Sequence, residues 1–171
     1  MAEKGHAQAQ AVADHLKDSK NVAAIYASPL QRTRETAAPI GKALKLKVTA
    51  DKGLLECDFG DWTGQELSKL RKLPEWKAVQ RNPSGFRFPN GESFSEMATR
   101  MSSTVDRFRL AHPGKTVIAV SHADTIKVAA ATALGVPLDL FQRIDVSPCS
   151  MTVIAYTADG PFVHCVNRVA A

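Results

Sequence analysis

The sequence predicts an α/β fold, a three-layer sandwich of helices around a mainly parallel central sheet. Short, nearly all-apolar runs alternate with amphipathic helical patterns, the order that builds such sheets. The apolar runs have the look of strands buried on both faces. Cap and turn residues mark the changes of period. At 171 residues and 44% hydrophobic content, the chain suits one domain, residues 1–171, with a sizeable core.

Gly5 precedes a helix with Ala9, Val12, Ala13 and Leu16 on one side, closed by the polar run Asp18-Ser19-Lys20-Asn21. Val22 to Ala27 is the first strand. Ser28-Pro29 opens a helix from Leu30 to Leu44, which Pro39 should bend or interrupt. Leu46 to Ala50 forms a second strand. Leu54 to Gly64 is a loop or extended segment, followed by short helices over Glu66–Lys72 and Pro74–Arg81. The longest irregular stretch is Asn82 to Gly91. With Arg81, Phe86, Arg87 and Phe88, it is a candidate to cover a pocket and choose a substrate.

Ser93 opens a long amphipathic helix through Met97, Met101, Val105 and Phe108 to Leu110, stopped by His112-Pro113-Gly114. Thr116 to Val120 is the clearest strand. Ser121-His122-Ala123-Asp124 then starts a helix reaching Leu134, with Gly135 as its C-cap. A hairpin of Met151–Tyr156 and Phe162–Asn167 turns around Asp159-Gly160.

Composition narrows the function. The 22 Lys+Arg against 17 Asp+Glu leave a net charge of +5, dispersed without a basic run. That argues against nucleic acid, whose backbone wants clustered charge, and suits a small anionic substrate. No apolar window approaches the length of a membrane span. Charges through the first twenty residues, without an apolar core, argue against a secretory signal. Three cysteines, Cys57, Cys149 and Cys165, lack metal-ligand spacing and predict reduced thiols in a cytoplasm. A nucleotide-binding domain lacks support: neither a Gly-x-Gly-x-x-Gly nor a Gly-Lys-Ser/Thr loop occurs.

In parallel sheets, ligands sit beyond the carboxyl ends of strands, near helix N-termini. Ala27-Ser28-Pro29-Leu30-Gln31-Arg32 and Val120-Ser121-His122-Ala123 fall at such junctions. His122 there can donate to a phosphate oxygen or carry a proton; the plainer alternative is a partly buried histidine bonded to a carbonyl. Arg32 can grip a phosphoryl group bidentately, or pair with Glu35 on the surface. Glu56, among Leu54, Leu55 and Cys57, can hold a raised pKa and protonate a leaving group. Asp58 and Asp61 are its rivals, and all three can equally be solvated loop acids.

These stretches together resemble the histidine phosphatase superfamily, also called the phosphoglycerate-mutase-like family. The resemblance rests on Ser28-Pro29-Leu30-Gln31-Arg32-Thr33-Arg34-Glu35-Thr36-Ala37 and on Leu55-Glu56 through Phe59-Gly60-Asp61-Trp62-Thr63-Gly64. Gly91-Glu92-Ser93 and Ser121-His122-Ala123-Asp124-Thr125-Ile126-Lys127 complete the set, in order, over Gly5 to Asn167. The resemblance implies a metal-free and cofactor-free phosphomonoesterase. A nucleophilic histidine attacks phosphorus, and water then releases phosphate from the phosphohistidine. By matching position, Arg32 would clamp the phosphoryl group, Glu56 would protonate the leaving oxygen and His122 would hold the transferring group. The partner would be a small phosphorylated substrate or inorganic phosphate. A phosphoglycerate-type mutase is the alternative within enzymes, although family mutases tend to be larger.

One departure stands out. The family's nucleophile lies in an Arg-His-Gly triplet at the end of its first strand, and this sequence holds no such triplet. Met1 falls where the family would already be entering its first helix, so a strand and loop of about 20 residues or more are expected to be missing. His6, His15, His112 and His164 have no matching context. Loss of a sheet strand should expose backbone groups on its neighbours and put stability at risk. Two readings follow. One is an enzyme lineage truncated at its start and inactive as written. The other is a catalytically dead binding or interaction protein that keeps Arg32 and His122 as an oxyanion site.

Overall fold

The computed structural model describes residues 1–170 and begins with helix α1 (Glu3–Leu16), which turns Ala9, Val12 and Ala13 inward. Strand β1 (Val22–Ala27) follows. It buries Ile25 and Ala27 but leaves Ala23 exposed, so it is not buried on both faces throughout. Half of its residues are alanines, whose small side chains tolerate water, and an apolar run rich in alanine overstates burial.

Helix α2 (Gln31–Leu44) continues through Pro39 without a break. Proline removes one rung of the hydrogen-bond ladder, while burial of Ala37, Ile40 and Gly41 holds the helix on either side. Strand β2 covers only Val48–Ala50. Helices α3 (Leu67–Leu70) and α4 (Trp76–Arg81) are shorter than their sequence patterns.

Helix α5 (Phe94–Ala111) starts at a capping box: Ser93 Oγ accepts from the Glu96 N–H at 3.1 Å, and a Glu96 carboxylate oxygen accepts from the Ser93 N–H at 2.9 Å. Strand β3 (Thr116–Val120) leads into α6 (Ala123–Leu134), which ends at Gly135 with φ 69°, the left-handed turn glycine adopts freely. A hairpin of β4 (Met151–Thr157) and β5 (Gly160–Arg168) completes the described chain.

Three strands form a parallel sheet in the order β2-β1-β3, and β4 and β5 form a separate antiparallel pair. Parallel β1 and β3 point their carboxyl ends the same way, which brings Ser28 and His122 to one end of the sheet. The Ser28 N–H donates to the Val120 carbonyl at 2.9 Å and ties the two junctions together. Strand β3 lies at the edge of its sheet, with one row of backbone groups unpaired by any described strand. Among the described residues, no helix is long and apolar enough to cross a membrane.

Two main clusters hold the layers. Val12, Ala13, Ile25 and Ile40 join α1 and α2 to the sheet. Phe94, Phe88, Trp62, Met97 and Phe141 form a second, largely aromatic core. Phe86 and Phe88 meet edge to face at 5.0 Å, and Trp62 meets Phe88 at 5.3 Å. Phe86 and Phe88 of the Asn82–Gly91 segment thus pack into this core, while Asn90 and Gly91 of the same segment line a cavity beside Glu56. Arg87 pairs with Glu96 and donates to the Gly91 carbonyl.

Phe94, 1% exposed, is wedged between Phe88 and Phe141. Phe94→Ala should cost about 3–5 kcal/mol. A urea melt unchanged from that of the parent chain would contradict this packing.

Candidate active site

Arg32 stands in the first turn of α2 and His122 caps α6, ninety residues away in sequence. The fold brings them into contact: Arg32 Nε donates to His122 Nδ1 at 3.1 Å. With Nδ1 accepting, the network assigns the ring proton to Nε2, which donates to Ser28 Oγ at 2.8 Å. Ser28 is fully buried, and Thr33 Oγ1 donates to its carbonyl at 2.9 Å. The imidazole is thus a neutral ring fixed at both nitrogens. Burial, then the positive charges of Arg32 and Arg100, push its pKa down to about 4.

Glu56 comes to the same end of the sheet on the segment between β2 and α3. Burial, then the nearby Asp124 carboxylate, raise its pKa to about 7. The backbone N–H groups of Cys57 and Asp124, and the Arg32 charge, pull weakly the other way. Asp124 is two residues beyond His122, so this carboxyl faces the amino end of α6. Ser121 fastens the approach: its Oγ donates to the Leu54 carbonyl at 2.7 Å. The rival acids take other roles. Asp58 Oδ1 accepts from the Gly60 N–H at 3.0 Å, and Asp61 Oδ2 accepts from Asn90 Nδ2 at 3.0 Å; both residues are exposed.

A cavity of about 400 Å³ opens beside Glu56, with Asp58, Asn90, Glu92 and Arg100 in its wall. Arg32 and His122 are outside that wall: they contact each other directly, and Glu56 is linked to them through the charge of Arg32 rather than through a shared pocket. Two turns approach closely beside the cavity. A Cβ on Gly91 would lie 2.4 Å from the Asp58 carbonyl, and one on Gly60, at φ 51°, would lie 2.0 Å from the Pro89 carbonyl. Only glycine fits either place.

The remaining histidines lie apart from this contact. His112 shares a 2.9 Å hydrogen bond with the Tyr26 hydroxyl, and His6, His15 and His164 are exposed. Among the described residues, no three His, Cys, Asp or Glu side chains gather into a metal-holding set. Sequence reasoning did not single out Ser28 or Arg100 for the site. Ser28 could have been found from its place at the end of β1, but Arg100 gives no signal within its amphipathic helix.

The two opposed pKa shifts predict how stability responds to acid. Glu56, raised from 4.5, contributes stability that is full below pH 4.5 and lost as pH rises through about 7. His122, lowered from 6.5, contributes stability that is full above pH 6.5 and lost as pH falls through about 4. Between pH 4.5 and 6.5 the two slopes oppose each other. Glu56→Gln should leave the histidine slope uncovered, so that the variant gains stability over this window relative to the parent chain. Parallel urea curves for the two proteins would count against these assignments.

The family model of the histidine phosphatase superfamily, branch 1, matches residues 1–169. The chain belongs to the histidine phosphatase superfamily.

Among curated relatives, it is 33% identical over 170 residues to the bifunctional protein Rv2228c of Mycobacterium tuberculosis, covering 98% of this chain and 47% of that protein. The chain thus spans about half the length of that relative. It is 31% identical over 156 residues to phosphoserine phosphatase 1 of Hydrogenobacter thermophilus, covering 90% and 74% of the two chains. A protein named as a probable phosphoglycerate mutase from Erwinia tasmaniensis is 33% identical over 154 residues, covering 89% and 71%. The solved structure of Bacillus stearothermophilus YhfR superposes with a TM-score of 0.91 at 26% identity, covering 99% of this chain and 85% of that one. The mycobacterial glucosyl-3-phosphoglycerate phosphatase Rv2419c, solved with inorganic phosphate, shares the fold at 24% identity and a TM-score of 0.85, covering 99% and 88%. Histidine phosphatase relatives of this chain thus include proteins named as phosphatases and as mutases.

Proposed function

We propose that Arg32, His122 and Glu56 form the phosphoryl-binding and proton-donating part of a phosphomonoesterase site, using the metal-free and cofactor-free phosphohistidine chemistry of the histidine phosphatases. The observation that carries this reading is the Arg32–His122 contact at the carboxyl ends of β1 and β3, with a half-buried carboxyl close by. A phosphate group entering there would take the Arg32 guanidinium in a two-point grip. It would also meet the amino end of α6, which favours anions.

Glu56, half protonated near neutral pH, suits the proton balance of the reaction. As the P–O bond of an ester breaks and a P–N bond forms, the leaving oxygen needs a proton, and Glu56 supplies it. When water attacks the phosphohistidine, Glu56 takes a proton back. With its two ring nitrogens committed to Arg32 and Ser28, His122 is not the nucleophile in this reading and serves phosphate binding by holding the Arg32 guanidinium in place.

No Arg-His-Gly triplet occurs in the sequence, and the other imidazoles lack a comparable setting. We therefore propose that the chain as written binds phosphate without turning over esters. The likeness to a protein named as a mutase favours a second reading, in which the phosphoryl group returns to a substrate hydroxyl rather than to water. A cytoplasmic location belongs to the same proposal and rests on three unpaired thiols.

Calorimetric titration with inorganic phosphate, run beside an aryl phosphate assay from pH 5 to 8, tests both parts. The expected result is phosphate binding that weakens in His122→Ala, with no turnover above buffer. Absence of phosphate binding would sink the site. Turnover that disappears in His122→Ala would sink the claim of inertness.

A further inference from the structure

We infer that Arg100, clamped by Glu92, is the positioning residue that fixes the segment carrying Glu56 and keeps its carboxyl in the buried pose. The inference rests on the reading of Glu56 as proton donor. Arg100 Nε donates to Glu92 Oε1 at 2.9 Å and Nη2 donates to Glu92 Oε2 at 2.8 Å, a two-point ion pair. Nη1 donates to the carbonyls of Gly53 at 2.8 Å and Leu55 at 2.9 Å, and Nη2 also reaches the Glu56 carbonyl at 3.4 Å. One guanidinium therefore gathers three carbonyls within four residues, ending at Glu56 itself. Its polar reach is spent on protein groups. That marks a brace rather than a second phosphate ligand.

Glu92 secures the other side of Glu56. Its backbone N–H donates to the Asp58 carbonyl at 2.8 Å, and its Oε2 accepts from the Asp58 N–H at 3.3 Å. A single ion pair thus holds residues 53 to 58 on both flanks of the carboxyl. The side chains of Arg100 and Glu92 are only 25% and 17% exposed, so water does little to loosen the pair. Lysine could keep the charge but could not reproduce the fork.

The charged groups facing Glu56 make the test discriminating. Asp124 approaches from α6, Arg32 from α2 and Arg100 from α5. Removing the Arg100 charge while the segment stayed in place would favour the neutral acid and raise the Glu56 midpoint. Releasing the segment into water would lower it. The sign separates positioning from plain electrostatics.

The experiment follows the Glu56 carboxyl carbon by NMR through pH 4 to 9 in the full chain, Arg100→Gln and Arg100→Lys. Amide spectra report whether each variant is folded. The expected result is a fall of about one pH unit or more in both variants. An unchanged midpoint in folded Arg100→Lys, or a rise in Arg100→Gln, would overturn the inference. Should Arg100→Gln fail to fold, Arg100→Lys, which keeps the charge, decides the question by the same midpoint. Inorganic phosphate added to the parent chain gives a separate readout: its failure to bind would count against the phosphoryl site and leave the Glu56 result standing.

Discussion

Arg32→Ala is expected to weaken inorganic phosphate binding by about two orders of magnitude, in line with the loss of a charged, two-point hydrogen-bond donor. A second effect should accompany it. Arg32 donates to His122 Nδ1, and its charge helps to hold the imidazole neutral. Removing the guanidinium should move the His122 titration upward from about 4 toward 6.5. Arg32→Lys separates the contributions: it keeps the charge near the ring but loses the fork, so affinity should drop while the histidine stays depressed. Phosphate binding in Arg32→Ala equal to that of the parent chain would remove the residue from the site. Calorimetry and imidazole NMR on the same preparation check both claims.

Glu56→Gln carries the second large effect. In any form of this protein that turns over phosphate esters, the variant should lose about 10²–10⁴-fold in rate on alkyl phosphates, whose leaving oxygens need a proton. Aryl phosphates, with good leaving groups, should be nearly unaffected. A uniform loss across leaving groups would argue for a structural role. The amide keeps the shape of the carboxyl without its titration, so a folding defect should be small, and thermal melts of the two proteins provide the control.

Much of the fold is legible in the sequence because its signals are local. The stripe Ala9-Val12-Ala13-Leu16 is the packed face of α1, Thr116 to Val120 is β3 to the residue, and Ser93 with Glu96 closes the box that starts α5. Signals fail where tertiary contacts outvote local chemistry. Pro39 sits inside an unbroken helix because its neighbours are buried. Phe86 and Phe88 lie in a loop by pattern and in the core by packing.

The candidate site divides in the same way. Arg32, Glu56 and His122 are picked out in the sequence by the resemblance to the histidine phosphatases, since their strand-end places and apolar neighbours alone leave plainer alternatives open. Ser28 becomes part of the site only through a bond to a residue 94 positions away, and Arg100 only through carbonyls more than 40 positions away. Backbone carbonyls carry no residue identity, so no reading of side-chain types could have found that partner.

The ring of His122, tethered at both nitrogens, has a consequence for how the cleft greets an anion. Near neutral pH the imidazole is essentially uncharged beside the Arg32 guanidinium. The electrical balance at the mouth therefore turns on a single proton, the one shared between Glu56 and solvent. As that proton departs, Glu56 adds its negative charge to that of neighbouring Asp124, and affinity for dianions should decline on the alkaline side of neutrality.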